Sequence, residues 1–255
     1  KLLRFEENFL IRRVEGVITI VEELGDDLIE RGLPRGKLAV VHNTLDIHEM
    51  DKIEIPDLKP QISDSSLKMV YVGSIGPHRG LETVIWGLKY LKEGGFNPKL
   101  YIVGDKLHLP ELKEFVKKLG MSENVVFTGW LPFEMAMAYI KVADLCLLPA
   151  IRSPETERSF PNKMQQYMYF GKPIAAANVR SFRRLIEECK CGFLYDPNDP
   201  RFFYEQLIAN IDNLNSMGKN GRLFLENKLN WEHSFQNLIK LYQKILGSKE
   251  LMPRD

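Results

Sequence analysis

Between residues 67 and 195, short apolar runs alternate with amphipathic stretches, and this alternation limits the folds that the chain can adopt. Apolar runs bounded by turn residues predict strands, and helical periodicity between them predicts helices. The predicted strands are 67–72, 99–103, 125–128, 144–149, 173–176 and 192–195, and the predicted helices are 81–92, 109–119, 133–142, 162–170 and 181–189. Runs that are apolar throughout are typical of strands buried on both faces. The expected fold class is therefore α/β, a parallel sheet with helices on both faces.

The chain divides into four parts by its composition and periodicity. The first contains too few elements for an independent sheet of normal size, so we interpret it as the remnant of an N-terminal domain. A polar, proline-containing stretch follows, and this composition indicates an interdomain connector. The main α/β domain comes next and turns wholly helical after Tyr195, before a final helix and tail. The expected boundaries of these parts are 1–45, 46–66, 67–230 and 231–255.

The composition excludes several classes of protein. A content of 44% hydrophobic and 27% charged residues is typical of globular domains, and it excludes disordered, collagen-like and coiled-coil chains. No stretch reaches the roughly 18 uncharged apolar residues that a membrane span needs. Lys and Arg together number 35 and Asp and Glu 34, so the net charge of +1 does not indicate nucleic-acid binding.

The cysteines bear on the expected compartment. Three cysteines are too few for a disulfide framework, and Cys146 lies in an apolar run where reduced cysteine usually packs. Cys189 and Cys191 have no neighbouring Cys or His to complete a zinc site, so no metal site is predicted. We therefore expect a reducing cytoplasm. The chain begins at Lys1 without a signal peptide, which indicates a piece or processed product of a longer protein.

The first candidate ligand site is the turn Val-Gly-Ser-Ile-Gly-Pro-His-Arg-Gly at 72–80, between a predicted strand and a predicted helix. Glycines at such a turn let main-chain N–H groups approach an anion, which the helix dipole also favours. Arg79 adds a planar cation suited to phosphate, and His78 stands beside it. The alternative is a tight turn with a solvated arginine. The segment is neither a P-loop nor a dinucleotide-binding glycine motif.

The second candidate is the segment 152–171, which follows the strand ending at Pro149. Ser159 is expected to cap a helix with a proline near its first turn. Lys163 and Gln166 are three residues apart, so both can face one ligand. The alternative is a capped surface helix whose polar side chains have no specific role, preceded by a solvated loop around Glu157.

The third candidate is the strand-to-helix turn at 128–132. Trp130 and the main chain around Leu131 could hold a planar base. The alternative is an ordinary loop whose tryptophan packs on the edge of the sheet. No Ser–His–acid arrangement or pair of catalytic carboxylates can be recognised in the sequence.

In their order along the chain, these motifs resemble those of the group 1 glycosyltransferases of the GT-B fold. The motifs are Gly-x5-Arg-Gly at 73–80, Val-Gly-Asp at 103–105, Phe-Thr-Gly at 127–129, Ala-Asp-x-x-Leu-x-Pro at 143–149, Ser-x-Pro-Asn-Lys at 159–163 and Tyr-Met-x-x-Gly-Lys-Pro at 167–173. The resemblance extends over about residues 17–246. It implies a Rossmann-like C-terminal domain that binds a nucleotide-sugar, an N-terminal domain with most of the acceptor site, and a final helix that crosses back to it.

The resemblance also implies roles for individual residues. Arg79 matches the basic residue at the donor diphosphate, whereas Ser74 stands where many members have a second arginine. Lys163 could restore that charge, so Arg79 and Lys163 are the expected catalytic residues. Gln166 replaces the second acid of the family's Glu-x7-Glu motif, and Arg158 stands in the register of the first. The other residues expected to bind the donor are Gly76, His78, Asp105, Leu131, Glu157, Ser159, Phe160 and Asn162.

The sequence thus predicts the donor-binding part of a glycosyltransferase that moves a sugar from a UDP- or GDP-sugar to a glycan, lipid or small-molecule acceptor. By resemblance, the reaction retains the anomeric configuration and needs no metal or other cofactor. The alternatives are a non-catalytic nucleotide-binding or scaffold module, or a sugar-phosphate enzyme on a similar sheet. The expected partners are the nucleotide-sugar, a glycan or lipid-linked acceptor and the missing N-terminal domain, but no nucleic acid. We expect a cytoplasmic location, with peripheral association at the inner membrane face as an option, and no transfer by the isolated chain.

Overall fold

The structure of the chain is a computed structural model that describes residues 2–59, 62, 66–106 and 108–247. The helices are α1 (Leu2–Leu10), α2 (Glu22–Glu30), α3 (Ile47–Asp51), α4 (Leu81–Glu93), α5 (Leu109–Lys118), α6 (Phe133–Val142), α7 (Asn162–Tyr169), α8 (Arg180–Cys189), α9 (Pro200–Asn210), α10 (Leu214–Asn227) and α11 (Trp231–Leu246). The strands are β1 (Val17–Thr19), β2 (Leu38–Val40), β3 (Leu67–Val72), β4 (Pro98–Val103), β5 (Val125–Gly129), β6 (Leu145–Leu148), β7 (Ile174–Ala177) and β8 (Gly192–Tyr195).

The larger sheet has six parallel strands in the order β5-β4-β3-β6-β7-β8. In β3, Val70 pairs with Tyr101 of β4 on one side and with Cys146 of β6 on the other. Successive strands are added in opposite directions on the two sides of β3, so a crevice opens at the carboxyl ends of β3 and β6, where doubly wound sheets bind ligands. The predicted α/β sheet is confirmed, and the predicted element bounds lie within two residues of those observed.

The core forms because the central strands are apolar on both faces. All residues of β6 and β7 are buried, as the uninterrupted apolar runs predict. The buried side chain of Tyr167 joins α7 to this sheet. Its hydroxyl donates to the Leu147 carbonyl oxygen at 3.1 Å and accepts a hydrogen bond from the Val72 amide at 3.2 Å. The position of α7 is therefore fixed relative to the end of β3.

The predicted connector begins with a short helix rather than an open linker. Asp46 accepts a hydrogen bond from the Glu49 amide at 3.0 Å and so caps α3. Met50 of this helix is buried against the main core. The cap by Asp46 and the burial of Met50 therefore stabilise a helix at the start of the predicted connector, although the polar composition of that segment indicates a linker.

The N-terminal part consists of α1, α2 and a two-stranded parallel sheet of β1 and β2. Helix α11 returns to this part and packs on β2. Asn237 donates to the Val40 carbonyl oxygen at 3.3 Å, and the Lys244 ammonium donates to the Gly36 carbonyl oxygen at 2.7 Å. The last helix thus crosses back to the N-terminal part, as the resemblance implies.

Carboxylates of α2 meet arginines of the main domain across the boundary between the two parts. Arg184 contacts Glu23 at 2.7 Å and Glu22 at 2.6 Å, and Glu23 is only 2% exposed. On the same side, Arg180 contacts Asp27 at 3.2 Å, and Arg158 also pairs with Asp27. Opposite charges therefore hold α2 against α8 and the loop before α7.

The cysteines occupy two different environments. Cys146 is a free, buried thiol in β6. Cys189 and Cys191 are joined by a disulfide across Lys190, which has a φ of 51°, in the left-handed region. The expectation of reduced cysteines therefore holds for Cys146 and not for the pair at the end of α8.

The ion pair between Arg184 and Glu23 generates a prediction about stability. Replacing Arg184 by Met keeps most of the apolar stem but leaves the buried Glu23 carboxylate without its cation. We expect the free energy of unfolding to fall by about 3–5 kcal/mol, since removing one partner of a buried ion pair leaves an uncompensated buried charge. Urea denaturation measures this change.

The matched control is Arg201→Met. Arg201 contacts Glu205 in an ion pair whose arginine side chain is 75% exposed, and exposed pairs contribute about 0–1 kcal/mol. Equal losses of stability in the two variants would show that the boundary pair has no special role.

Candidate functional site

A cavity of about 1020 Å³ opens at the carboxyl ends of β3, β4 and β5. Its walls come from the turns that follow these strands, from one side of α6 and from one side chain of α7. The lining residues include Gly73, Ser74, Gly104, Asp105, Lys106, Trp130, Leu131, Phe133, Met137 and Gln166. The cavity therefore lies beside the switch point of the sheet, where the fold predicts a ligand.

The turns after β3 and β4 approach each other more closely than side chains would allow. A Cβ atom on Gly104 would lie 2.0 Å from the Gly73 carbonyl oxygen, and both residues have positive φ, at 149° and 136°. The Gly73 amide donates to the Val103 carbonyl oxygen, and the Gly104 amide donates to the Gly129 carbonyl oxygen, each at 2.9 Å. Glycine is required here by space and by backbone conformation, and the contact aligns three strand ends along one wall of the cavity.

Two cations lie beside the turn after β3. The Arg79 guanidinium donates to the Ser74 hydroxyl at 3.2 Å, while its Nε has no hydrogen-bond partner in the described part of the chain. The Lys163 ammonium lies 4.0 Å from the centre of the Tyr71 ring and close to Gly73. Within the described residues, neither cation is paired with a carboxylate. The site therefore presents uncompensated positive charge.

The surroundings change the acid–base properties of this site. Burial, and next the charge of Arg79, lower the pKa of Lys163 to about 7. Burial raises the pKa of Tyr71 to about 12, and its hydroxyl donates to the Ser74 carbonyl oxygen at 2.7 Å. Tyr71 therefore stays neutral and supports the turn, whereas Lys163 gains or loses its charge near neutral pH.

The start of α7 differs from the expectation that Ser159 caps it. The helix begins at Asn162 with Pro161 in the capping position, and no side chain accepts from its first amides. Ser159 lies too far back along the chain to reach them, and its hydroxyl donates instead to the Thr156 carbonyl oxygen at 3.1 Å. The capping prediction for Ser159 is wrong, and the N-terminus of α7 has no side-chain cap.

Several residues predicted to bind the donor lie at or beside the cavity. Asp105, Leu131 and Gln166 line it, and the Gly76 carbonyl oxygen accepts from the Arg79 amide at 2.9 Å. His78 is exposed on the outer side of this turn. Desolvation, followed by the charges of Arg79 and other nearby cations, lowers the pKa of His78.

Other predicted residues contact neighbouring elements. The Glu157 carboxylate accepts from the Arg180 amide at 2.5 Å. Phe160 is buried and stacks on His42 at a ring-centre distance of 5.1 Å. Asn162 accepts from the side chain of Asn43 at 3.3 Å. Their roles in donor binding stay predictions.

Five residues at or near the site were not predicted from the sequence: Tyr71, Lys106, Phe133, Met137 and Gln165. Phe133 and Met137 are four residues apart on α6 and line the apolar wall of the cavity, so their helical spacing was an available signal. Lys106 lies three residues after the end of β4, and the expectation that ligands bind at the carboxyl ends of strands could have indicated it. The roles of Tyr71 and Gln165 depend on long-range contacts that no local pattern reports.

Metal ligands and membrane spans were sought in the same part of the chain. None of the described residues forms a group of three or more His, Cys, Asp or Glu side chains that could hold a metal ion. The expectation that no metal is needed stays a prediction. No described helix combines the length and the apolar character that a membrane crossing requires.

Comparison with known families decides the classification. The family model described as "Glycosyl transferases group 1" matches residues 54–224. The chain belongs to this family. The sequence is 23% identical over 246 residues to an uncharacterized glycosyltransferase of Methanocaldococcus jannaschii, covering 93% of this chain and 60% of the relative. It is 23% identical over 241 residues to the putative colanic acid biosynthesis glycosyltransferase WcaL of Escherichia coli, covering 92% and 58%.

Solved structures support the same fold. The structure of Anabaena Alr3699/HepE, crystallised in complex with UDP, superposes with a TM-score of 0.78 at 19% identity. The match covers 94% of this group 1 chain and 67% of the Anabaena chain. The expected Rossmann-like GT-B fold is confirmed. This chain spans about 60% of the length of the curated relatives above.

The pKa of Lys163 generates a prediction about anion binding. The ammonium form predominates below pH 7 and the neutral amine above it, so affinity for sulfate should fall as the pH rises from 6 to 9. A charge-assisted contact contributes about 1.5–3 kcal/mol, so the fall should be about tenfold or more. NMR of ¹³C-labelled lysine side chains should find one pKa near 7 that sulfate raises.

Two variants control this experiment. Lys163→Arg keeps its charge over the whole range and should remove the pH dependence. His78→Asn removes the other nearby titrating group and should leave the dependence in place. A sulfate affinity that is constant with pH in the parent chain would contradict the assignment of Lys163.

Proposed function

We propose that this chain binds a nucleoside diphosphate-sugar and stabilises the diphosphate that leaves during sugar transfer. The observation that carries the proposal is the pair of cations, Arg79 and Lys163, which face one glycine turn without a carboxylate partner among the described residues. Placing two cations in a partly buried site is unfavourable without an anion. A diphosphate supplies that anion.

The volume of the cavity, about 1020 Å³, and its lining residues support a place for the rest of such a ligand. The phosphates would lie at the turn after β3, next to the uncapped start of α7. Gln166 would hydrogen-bond the ribose, and the base would lie between the main chain near Leu131 and the apolar wall of α6. UDP is the favoured nucleotide because the Anabaena relative was crystallised with UDP and with UDP-glucose.

In the proposed reaction, the bond between the anomeric carbon and the terminal phosphate oxygen breaks as an acceptor oxygen bonds to that carbon. The electron pair of the broken bond goes to the phosphate oxygen, where Arg79 and Lys163 stabilise the developing negative charge. With two fixed cations at this position, we propose a reaction that needs no metal and retains the anomeric configuration. The acceptor proton leaves to the phosphate or to solvent.

The acceptor is proposed to be a growing glycan or a lipid-linked sugar. The name of the Escherichia coli relative, which refers to colanic acid biosynthesis, supports a polysaccharide pathway. The chain would bind a lipid-linked acceptor at the inner face of the membrane, and this agrees with the expected cytoplasmic location. We propose that sugar transfer needs a larger N-terminal domain than the small part that contains β1 and β2. The reason is that the reacting groups must be enclosed between two domains.

The second candidate function is a nucleotide-binding module without catalysis. The observation that favours it is the contact of Glu157 with the Arg180 amide, together with glutamine and arginine in the register of the two motif acids. Such a module would bind UDP as tightly as the enzyme does. It would fail to transfer sugar even as the full-length protein, and this result separates the two functions.

Replacing Arg79 by Ala tests the proposed diphosphate site. The variant should bind UDP about tenfold or more weakly, because one charge-assisted contact contributes about 1.5–3 kcal/mol. Calorimetry measures the affinity of the purified chain. Arg201→Ala, which removes an exposed arginine of α9, should bind UDP like the parent. If Arg79→Ala and the parent bind equally, Arg79 does not contact the phosphates.

Gln166 allows a separate test of the ribose contact. Gln166→Leu should lose affinity for UDP but not for inorganic pyrophosphate, because only UDP carries the ribose hydroxyls. Gln166→Glu should bind UDP at least as well as the parent, since a carboxylate accepts the same hydrogen bonds with charge assistance. Unchanged UDP binding in the Leu variant would remove Gln166 from the ligand site.

A further inference from the structure

Helix α7 presents different residues to two different parts of the molecule. Lys163 lies beside the turn after β3, and Gln166 lines the cavity. Asn162, Gln165 and Tyr169 are spaced by three and four residues, so they share another side of the helix. That second side contacts the segment 43–51, which joins the N-terminal part to the main domain.

The contact made by Gln165 is the most specific of the three. Its side-chain oxygen accepts from the Leu45 amide at 2.6 Å, and its side-chain nitrogen donates to the Asn43 carbonyl oxygen at 2.7 Å. The Gln165 side chain is buried, at 1% exposed, and both hydrogen bonds are partly shielded from water. One side-chain amide therefore satisfies a main-chain donor and a main-chain acceptor, as a neighbouring strand would.

This arrangement depends on the chemistry of glutamine. An amide offers one acceptor and two donors, whereas a carboxylate only accepts and an apolar side chain does neither. A carboxylate or an apolar side chain of similar length would leave the Asn43 carbonyl oxygen, the Leu45 amide or both without this partner, and the loss of these hydrogen bonds would weaken the contact. The pairing thus fixes residues 43–45 in one register against α7.

Two flanking contacts extend the attachment along the helix. The side chain of Asn43 donates to Asn162 at 3.3 Å, and the Tyr169 hydroxyl donates to the Asp51 carboxylate at 2.7 Å. Segment 43–51 is thereby held at three successive positions of α7. Since the same helix carries Lys163 and Gln166, a shift or stiffening of α7 must also act on the segment.

We infer that Gln165 is a positioning residue that couples occupancy of the nucleotide cavity to the placement of the N-terminal part. The inference rests on the proposed function, because the ligand that would contact α7 is the proposed nucleoside diphosphate. Binding at Lys163 and Gln166 stabilises α7. Because Gln165 is part of α7, its hydrogen bonds then stabilise the position of residues 43–45 as well. Coupling between two sites is reciprocal, so placement of the N-terminal part also changes nucleotide affinity by the same factor.

Hydrogen exchange of the Leu45 amide tests the inference directly, because Gln165 is the acceptor for that amide. In the parent chain, the Leu45 amide should be protected, and saturating UDP should slow its exchange further. In Gln165→Met, which has similar length but no hydrogen-bonding group, the exchange should be at least tenfold faster and no longer respond to UDP. Calorimetry on the same samples measures how much UDP is bound.

A second variant keeps the test valid if Gln165→Met does not fold. Gln165→Glu retains an acceptor for the Leu45 amide and loses the donor to Asn43. Leu45 should therefore stay protected, while its response to UDP should become smaller than in the parent. Gln236→Met, on the exposed side of α11, is the matched control and should exchange like the parent at Leu45.

Two results would overturn the inference. One is a Leu45 amide that exchanges equally fast in the parent and in Gln165→Met, or a Leu45 amide that loses all protection in Gln165→Glu. The other is a UDP-dependent slowing that persists undiminished in the Gln165 variants. If calorimetry finds no UDP, GDP or ADP bound to the parent, the proposed function fails instead, and Leu45 exchange in the free chains still decides whether Gln165 holds the segment.

Discussion

The close approach of the turns after β3 and β4 is the constraint on which the candidate site depends. Gly73 and Gly104 pack with no room for a Cβ atom, and each has a positive φ. Their amides bond to the neighbouring strand ends, so three strands end together at one wall of the cavity. Ser74 follows this contact directly and receives a hydrogen bond from Arg79, so the position of the cation depends on the turn.

The electrostatics of the site follow from that geometry. Once Arg79 is tied to Ser74 and Tyr167 has fixed α7 against the sheet, Lys163 lies over Tyr71 and near a second positive charge. Burial and this repulsion lower the pKa of Lys163 to about 7. The folded chain thus places two cations near each other, which is unfavourable without an anion. A bound anion would offset this repulsion. Such an arrangement is typical of binding sites rather than of structural ion pairs.

The boundary between the two parts is held by a different kind of contact. Arginines of α8 and of the loop before α7 pair with carboxylates of α2, and Arg158 is one of them. In the family motif, the register of Arg158 belongs to an acid. Here its charge is directed to α2, and the adjacent Glu157 accepts from the first amide of α8. A part of the sequence that resembles a ligand motif therefore contributes to the attachment of the N-terminal part.

Uninterrupted apolar runs and helical periodicity predict the strands and helices between residues 67 and 195 and their parallel arrangement, because both features are local properties of the chain. Strand ends and three-residue spacing also indicate Arg79, Lys163 and Gln166 as candidate ligand contacts, because both features can be recognised without a structure, and their roles in binding stay predictions. Three features are evident from the folded chain alone: Ser159 does not cap α7, Cys189 bonds to Cys191, and Gln165 holds residues 43–45. Gln165 and Asn43 are 122 positions apart. Contacts at such separation are set by the packing of α7 on the sheet, which no local pattern encodes.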